Sequence, residues 1–215
     1  KPSVHRVFGE DLAVLVGDGL IAAAFQVVAQ APIGNPGAVA AVLKVLARAL
    51  GPTRGLVAGQ AWEAEPRAEI DTVHLYKTGA LFEAATEIGA ITAGADQAGW
   101  RTVGQSIGQA YQLADDLLDA LGSAQQSGKP SCQDAMLGRP NAVSEFGLGG
   151  AVDKFTQTVE RVCNRVPPCT GREALVGLIR QVMVRLLPSG LRFKGAVEPC
   201  TDPKSVYGSK KAALT

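Results

Sequence analysis

The chain has 215 residues, enough for one domain or a large piece of one. It is 47% apolar with only 5% aromatic residues, a composition that suits helices packed through small side chains better than a sheet. Lys and Arg number 21 against 20 Asp and Glu, so net charge gives no reason to expect nucleic acid or an acidic membrane surface as partner.

In chain order, residues 4–30 read as one long helix, with Val7, Leu12, Val16, Leu20, Ala24 and Val27 recurring at helical spacing. No apolar run reaches the roughly 18–20 residues of a spanning helix; the longest candidate, 12–29, is interrupted by Asp18 and Gln26. Asn35 is the expected cap of a second helix with Pro36 at its first position, ending before Gly51-Pro52. Thr53 is the expected cap of a third, reaching about residue 65. Asp71 is the expected cap of a helix running to about residue 93, and a further helix spans about 97–121. Residues 122–141 turn to Ser, Gln, Gly and Pro and read as a functional loop.

Two more helices, about 150–166 and 173–187, follow, the second opening on a capping box, Thr170-x-x-Glu173. Residues 195–215 lose periodicity and are expected to form a weakly ordered tail behind a single domain of residues 1–194. Strand alternation is nowhere longer than a few residues, and the fold class is all-α. Cys132, Cys163, Cys169 and Cys200 form no C-x-x-C pair, and there is no secretory signal, so reduced thiols of a cytoplasmic protein are expected.

The chemistry concentrates in residues 111–119. Gln112, Asp115, Asp116 and Asp119 recur three, four and seven apart and form one acidic stripe of a helix. Tyr111, Ala114, Leu118 and Leu121 form a neighbouring stripe expected to enter the core. Clustered carboxylates repel, and a hard cation holding a polyphosphate would compensate them, because Mg²⁺ takes oxygen ligands and completes its shell with water and phosphate. A solvated acidic face is the plainer alternative, though apolar residues rather than Lys or Arg flank this one.

Lys77-Thr78-Gly79 offers an ammonium and a hydroxyl for an anion, with a mid-helix Gly that suggests close backbone approach. Lys129, on the loop after the stripe, is placed to close over the same anion. Taken alone, each also describes an ordinary surface lysine. Gln60 and Glu63 lie three apart and can face one cavity, while His5 and His74 lack a metal-type partner. The stripe does not have the alternating acids and Gly of an EF-hand loop, nor the chain the Glu-x-x-His pairs of a di-iron bundle.

Together these pieces resemble the trans-isoprenyl diphosphate synthases, in particular bacterial geranylgeranyl diphosphate synthases of carotenoid pathways. The resemblance covers about residues 1–145. It runs from Lys1-Pro2-Ser3-Val4-His5, Phe8-Gly9-Glu10 and Leu15-Val16-Gly17-Asp18 through Gly59-Gln60 and Lys77-Thr78-Gly79-Ala80-Leu81-Phe82. It then takes in Gln112 to Asp119, and Gly128-Lys129-Pro130 with Asp134 beyond.

The resemblance implies an all-α fold around a central cavity and a homodimer. It also implies Mg²⁺-assisted condensation of isopentenyl diphosphate with an allylic diphosphate. It assigns Asp115, Asp116 and Asp119 to Mg²⁺, gives Lys77, Thr78, Gln112, Lys129 and His5 to the diphosphate, and makes Lys77, Gln112 and Asp115 catalytic. The family's first Asp-rich motif and tandem Arg are expected upstream of Lys1, and no stretch of this sequence carries either. Three readings follow: a part of an ordinary working synthase, a naturally shortened, non-catalytic subunit that pairs with an active one, or a degenerate helical domain used only for interaction.

Overall fold

The computed structural model of the chain describes residues 2–32, 36–65, 69–121 and 141–187. Lys129, Asp134, Asn35, residues 122–140 and the expected tail over 195–215 lie outside the described residues, as does the domain end at 194. The described residues are helical and contain no strand: α1 Val4–Phe8, α2 Glu10–Gln30, α3 Pro36–Leu50, α4 Leu56–Glu63 and α5 Ile70–His74. A π-helical turn, Leu75–Gly79, joins α5 to α6 Ala80–Ala93, and α7 Gln97–Leu121, α8 Ala142–Arg165 and α9 Arg172–Leu186 follow.

Most boundaries follow from local chemistry. Gly94 ends α6 in the left-handed conformation. Asp96 then caps α7, its carboxylate accepting from the Ala98 and Gly99 amides at 3.1 and 3.0 Å. Four expectations differ. The helix expected over residues 4–30 is broken at Gly9, whose φ of 90° only glycine adopts freely. Thr53 caps nothing, since α4 starts at Leu56 behind Gly55. Asp71 is not a cap, because Ile70 is already helical.

The fourth concerns Thr170 and Glu173. Gly171 occupies the cap position of α9 without a side-chain bond. Arg172 instead serves the preceding helix, Nε donating to the Val166 carbonyl at 3.0 Å and Nη2 to that of Cys163 at 3.2 Å. In addition, α8 starts earlier than the periodicity suggested. Asn141 and Ser144 form a capping box, and the helix kinks at Gly147 before its apolar stretch.

The main core lies where α7, α8 and α9 meet, around Leu117, Phe155, Val159, Val162, Ile179 and Met183. A smaller cluster, Val45, Ala49 and Ala84, joins α3 to α6. Above it, the buried Glu87 pairs with Arg48 and Arg101, and Glu83 accepts from Arg101 Nε at 3.0 Å and Gln105 Nε2 at 2.9 Å. A carboxylate taken out of water needs such partners, and these tie α3, α6 and α7 together.

In contrast, α2 has no buried residue. Within its 21 residues an 18-residue window averages a hydropathy of 2.0, so by length and composition it could cross a membrane, contrary to the expectation from the broken apolar run. Asp18 near its middle opposes that, since a central Asp costs about 2.5–3.5 kcal/mol on insertion.

Phe155 is fully buried, so Phe155→Ala is expected to lower unfolding free energy by about 3–5 kcal/mol in urea titrations. Burial also pushes the Cys163 thiol up, against the opposing pull of Arg180, whereas Cys169 is exposed. Iodoacetamide near neutral pH is therefore expected to label Cys169 and to spare Cys163 until the chain unfolds, as peptide mass spectrometry would register.

Candidate diphosphate and metal site

The Lys77-Thr78-Gly79 tripeptide forms the last part of the π-helical turn, a widened helix geometry that tends to occur at functional positions. Two glycines explain how closely its neighbours approach. A Cβ on Gly59 of α4 would collide with the Lys77 backbone nitrogen and Cα. A Cβ on Gly108 of α7 would lie 2.8 Å from the Gly79 Cα. The group expected to approach the Gly79 backbone is thus a second helix.

Seated against α4, Lys77 Nζ donates to Glu63 Oε2 at 2.6 Å, and Gln60 Nε2 donates to the same oxygen at 2.9 Å. Gln60, Glu63 and Lys77 therefore form one cluster, joining the pair that the sequence put on one face to the lysine it treated separately. Thr78 is half-buried beside Lys77.

On α7 the acidic stripe is divided. Asp115 is exposed, and Asp119, one turn on, is half-buried. Asp116 is only 4% exposed and faces inward. Its Oδ1 accepts from Gln112 Nε2 at 3.0 Å and its Oδ2 from the Ala142 amide at 2.9 Å. The three carboxylates do not converge: among the described residues no group of three or more His, Cys, Asp or Glu side chains is arranged to hold a metal.

The apolar stripe also differs from expectation. Tyr111 and Leu121 are exposed, the Tyr111 ring lying 5.3 Å from that of Phe82, while Ala110, Ala114 and Leu117 enter the core. One residue on a helix is about 100°, so a small error in the assumed direction of the core exchanges these positions.

A cleft of about 440 Å³ is lined by Gln112 and Asp116 together with His74, Asn141, Lys154 and Arg161. Lys77, Thr78, Asp115 and Asp119 do not line it. His5 is exposed on α1, which packs along α2, and its ring nitrogen is 3.5 Å from the Ser3 hydroxyl.

Sequence reasoning missed the π-helical turn and the Asp116–Ala142 contact. The first has no residue signature, and the second joins positions 26 apart across the 122–140 segment.

The donor set fits a hard divalent cation in part. Asp115 and Asp119 present oxygens from one side of α7, and Mg²⁺ ordinarily completes a small protein ligand set with water and phosphate. Both oxygens of Asp116 already accept from protein donors.

Gly59→Ala is expected to displace Lys77 from Glu63, because backbone rather than a flexible side-chain end meets the added methyl. A loss of about 1–3 kcal/mol in chemical denaturation is the predicted cost of this overpacking. Unchanged stability would mean that α4 and the π-helical turn are less closely seated than described.

Comparison with known proteins bears on what this arrangement is. The polyprenyl synthetase family pattern matches residues 1–169. The chain is 41% identical over 189 residues to a geranylgeranyl diphosphate synthase of Cereibacter sphaeroides, covering 88% of this chain and 66% of that protein. It is 41% identical over 180 residues to one of Rhodobacter capsulatus, covering 84% and 62%. It thus spans somewhat less than two thirds of the length of the curated relatives it matches. In three dimensions it resembles a crystal structure of an FPP/GFPP synthase from Zymomonas mobilis, at a TM-score of 0.71 and 29% identity, covering 85% of this chain and 64% of that one. With the pattern running through the helices that carry Lys77 and Asp115, the chain belongs to the polyprenyl synthetase family.

Proposed function

We propose that this chain carries the diphosphate-gripping portion of a prenyltransferase that lengthens an allylic diphosphate by one isopentenyl unit. The observation that carries the reading is Asp115. It is an exposed carboxylate with no partner among the described residues, on a helix that supplies Gln112 from the turn before and Asp119 from the turn after. The helix packed against it through Gly79 and Gly108 bears Lys77 and Thr78.

In the reaction, the C–O bond of the allylic diphosphate breaks and its electron pair leaves with the diphosphate. The isopentenyl double bond attacks the resulting carbocation, and a proton is lost from the adduct. Lys77 contributes positive charge and the ammonium donors that Glu63 does not take, and Gln112 and Thr78 contribute neutral donors, toward oxygens that gain negative charge as the bond breaks. Asp115 and Asp119 are the residues that would hold Mg²⁺. When bound, the ion supplies further charge neutralisation for the departing diphosphate.

Glu63, itself held by Gln60, keeps the Lys77 ammonium from wandering. That ordering lowers the entropy cost of its use. The names of the two relatives that are 41% identical support geranylgeranyl diphosphate as product.

The test is transfer from labelled isopentenyl diphosphate to farnesyl diphosphate with Mg²⁺. It would be run on the 215-residue chain and on one extended by the amino-terminal region of the Cereibacter sphaeroides relative. The extended protein is expected to form a twenty-carbon diphosphate. Asp115→Ala in it is expected to reduce turnover about 100- to 1,000-fold, the scale of removing one charge-stabilising group. Full turnover in that variant would overturn the assignment of Asp115.

A further inference from the structure

Asp116 is the member of the acidic stripe whose surroundings differ from those of its neighbours. It is 4% exposed, and both carboxylate oxygens are engaged by protein donors. Burial of an ionised carboxylate is tolerated when hydrogen bonds replace its water, and here one comes from a side chain of the same helix and one from another helix. The Ala142 amide is a first-turn donor of α8, which the turns of that helix leave without an acceptor. The Asn141–Ser144 capping box satisfies the Ser144 amide but not that of Ala142. Asp116 therefore supplies, from α7, the acceptor that the first turn of α8 lacks.

The second contact decides which way an amide points. An ionised carboxylate only accepts, so the Gln112 amide must offer its nitrogen to Asp116. One N–H of Nε2 is used, at 3.0 Å, and the other remains a donor on the same nitrogen.

We propose that Asp116 is a positioning residue rather than a metal ligand. Its carboxylate fixes the Gln112 amide with a donor left for the diphosphate, and pins the start of α8 to α7. The inference rests on the reading of Gln112 as a diphosphate contact. The division of labour it makes is sharp: Asp115 and Asp119 face the ion, and Asp116 holds the scaffold and the donor.

Asp116→Asn separates the two roles. Asn has one acceptor oxygen, which the Ala142 amide retains, and an NH2 group that then faces Gln112. The Gln112 amide has to turn over and present its oxygen, so the start of α8 is kept while the diphosphate donor is reversed. Asp116→Ala loses both contacts.

The experiment uses the 215-residue chain with nitrogen-15 labelling, the Gln112 side-chain amide being assigned from its loss in Gln112→Leu. Asp116→Asn is expected to move that resonance, while Asp115→Asn leaves it in place. Amide hydrogen exchange over the first turn of α8 is expected to accelerate roughly tenfold in Asp116→Ala, the scale of losing one helix cap, and little in Asp116→Asn.

Mn²⁺ binding, followed by water proton relaxation, is expected to weaken in Asp115→Asn and to persist in Asp116→Asn. A Gln112 resonance unmoved by Asp116→Asn would overturn the proposal. So would Mn²⁺ affinity falling as far in Asp116→Asn as in Asp115→Asn. If Asp115→Asn leaves Mn²⁺ binding intact, the metal reading of Asp115 fails, while the resonance and exchange results still decide the role of Asp116.

Discussion

The contact between Gly79 and Gly108 sets how closely the π-helical turn seats on α7. Where two helices meet at glycines, their backbones approach more closely than side chains otherwise permit, and the approach fixes register as well as distance. Here the register seats the π-helical turn that ends at Gly79 against α7 at Gly108. Gly59 does the same from the other side, letting α4 press its Gln60–Glu63 face onto Lys77. A larger residue at Gly59 would part Lys77 from Glu63, and one at Gly108 would push the π-helical turn off α7.

Charge is managed differently in different parts of the bundle. Glu83 and Glu87 are surrounded by Arg48, Arg101 and Gln105, a network that offsets the cost of burial and joins three helices. Asp116 is offset by neutral donors instead, which keeps it buried without bringing a cation beside Asp115. Asp115 has no partner among the described residues.

The apolar character of α2 is a lesson in what hydropathy measures. By length and composition it passes the test for a spanning helix, yet it carries Asp18 and lies within the family match. Apolarity reports that a surface avoids water, not which apolar surface replaces it.

The sequence by itself determined the all-α class, both ends of α3 and α7 and the last residue of α6, and it nominated Lys77, Gln112, Asp115, Asp116 and Asp119 as candidates. These depend on local rules: periodicity, Pro and Gly stops, and the spacing that brings side chains onto one helix face. It also determined the family resemblance, because the motifs stand in order along the chain. Tertiary structure alone decided that Lys77 meets Glu63, that α5 and α6 are joined by a π-helical turn, and that Asp116 turns inward to the first amide of α8. Each of these depends on how whole helices are seated against one another, and adjacent positions on a helix differ by about 100° in direction. A single residue step therefore separates a carboxylate open to an ion from one enclosed in the protein, and only packing decides which is which.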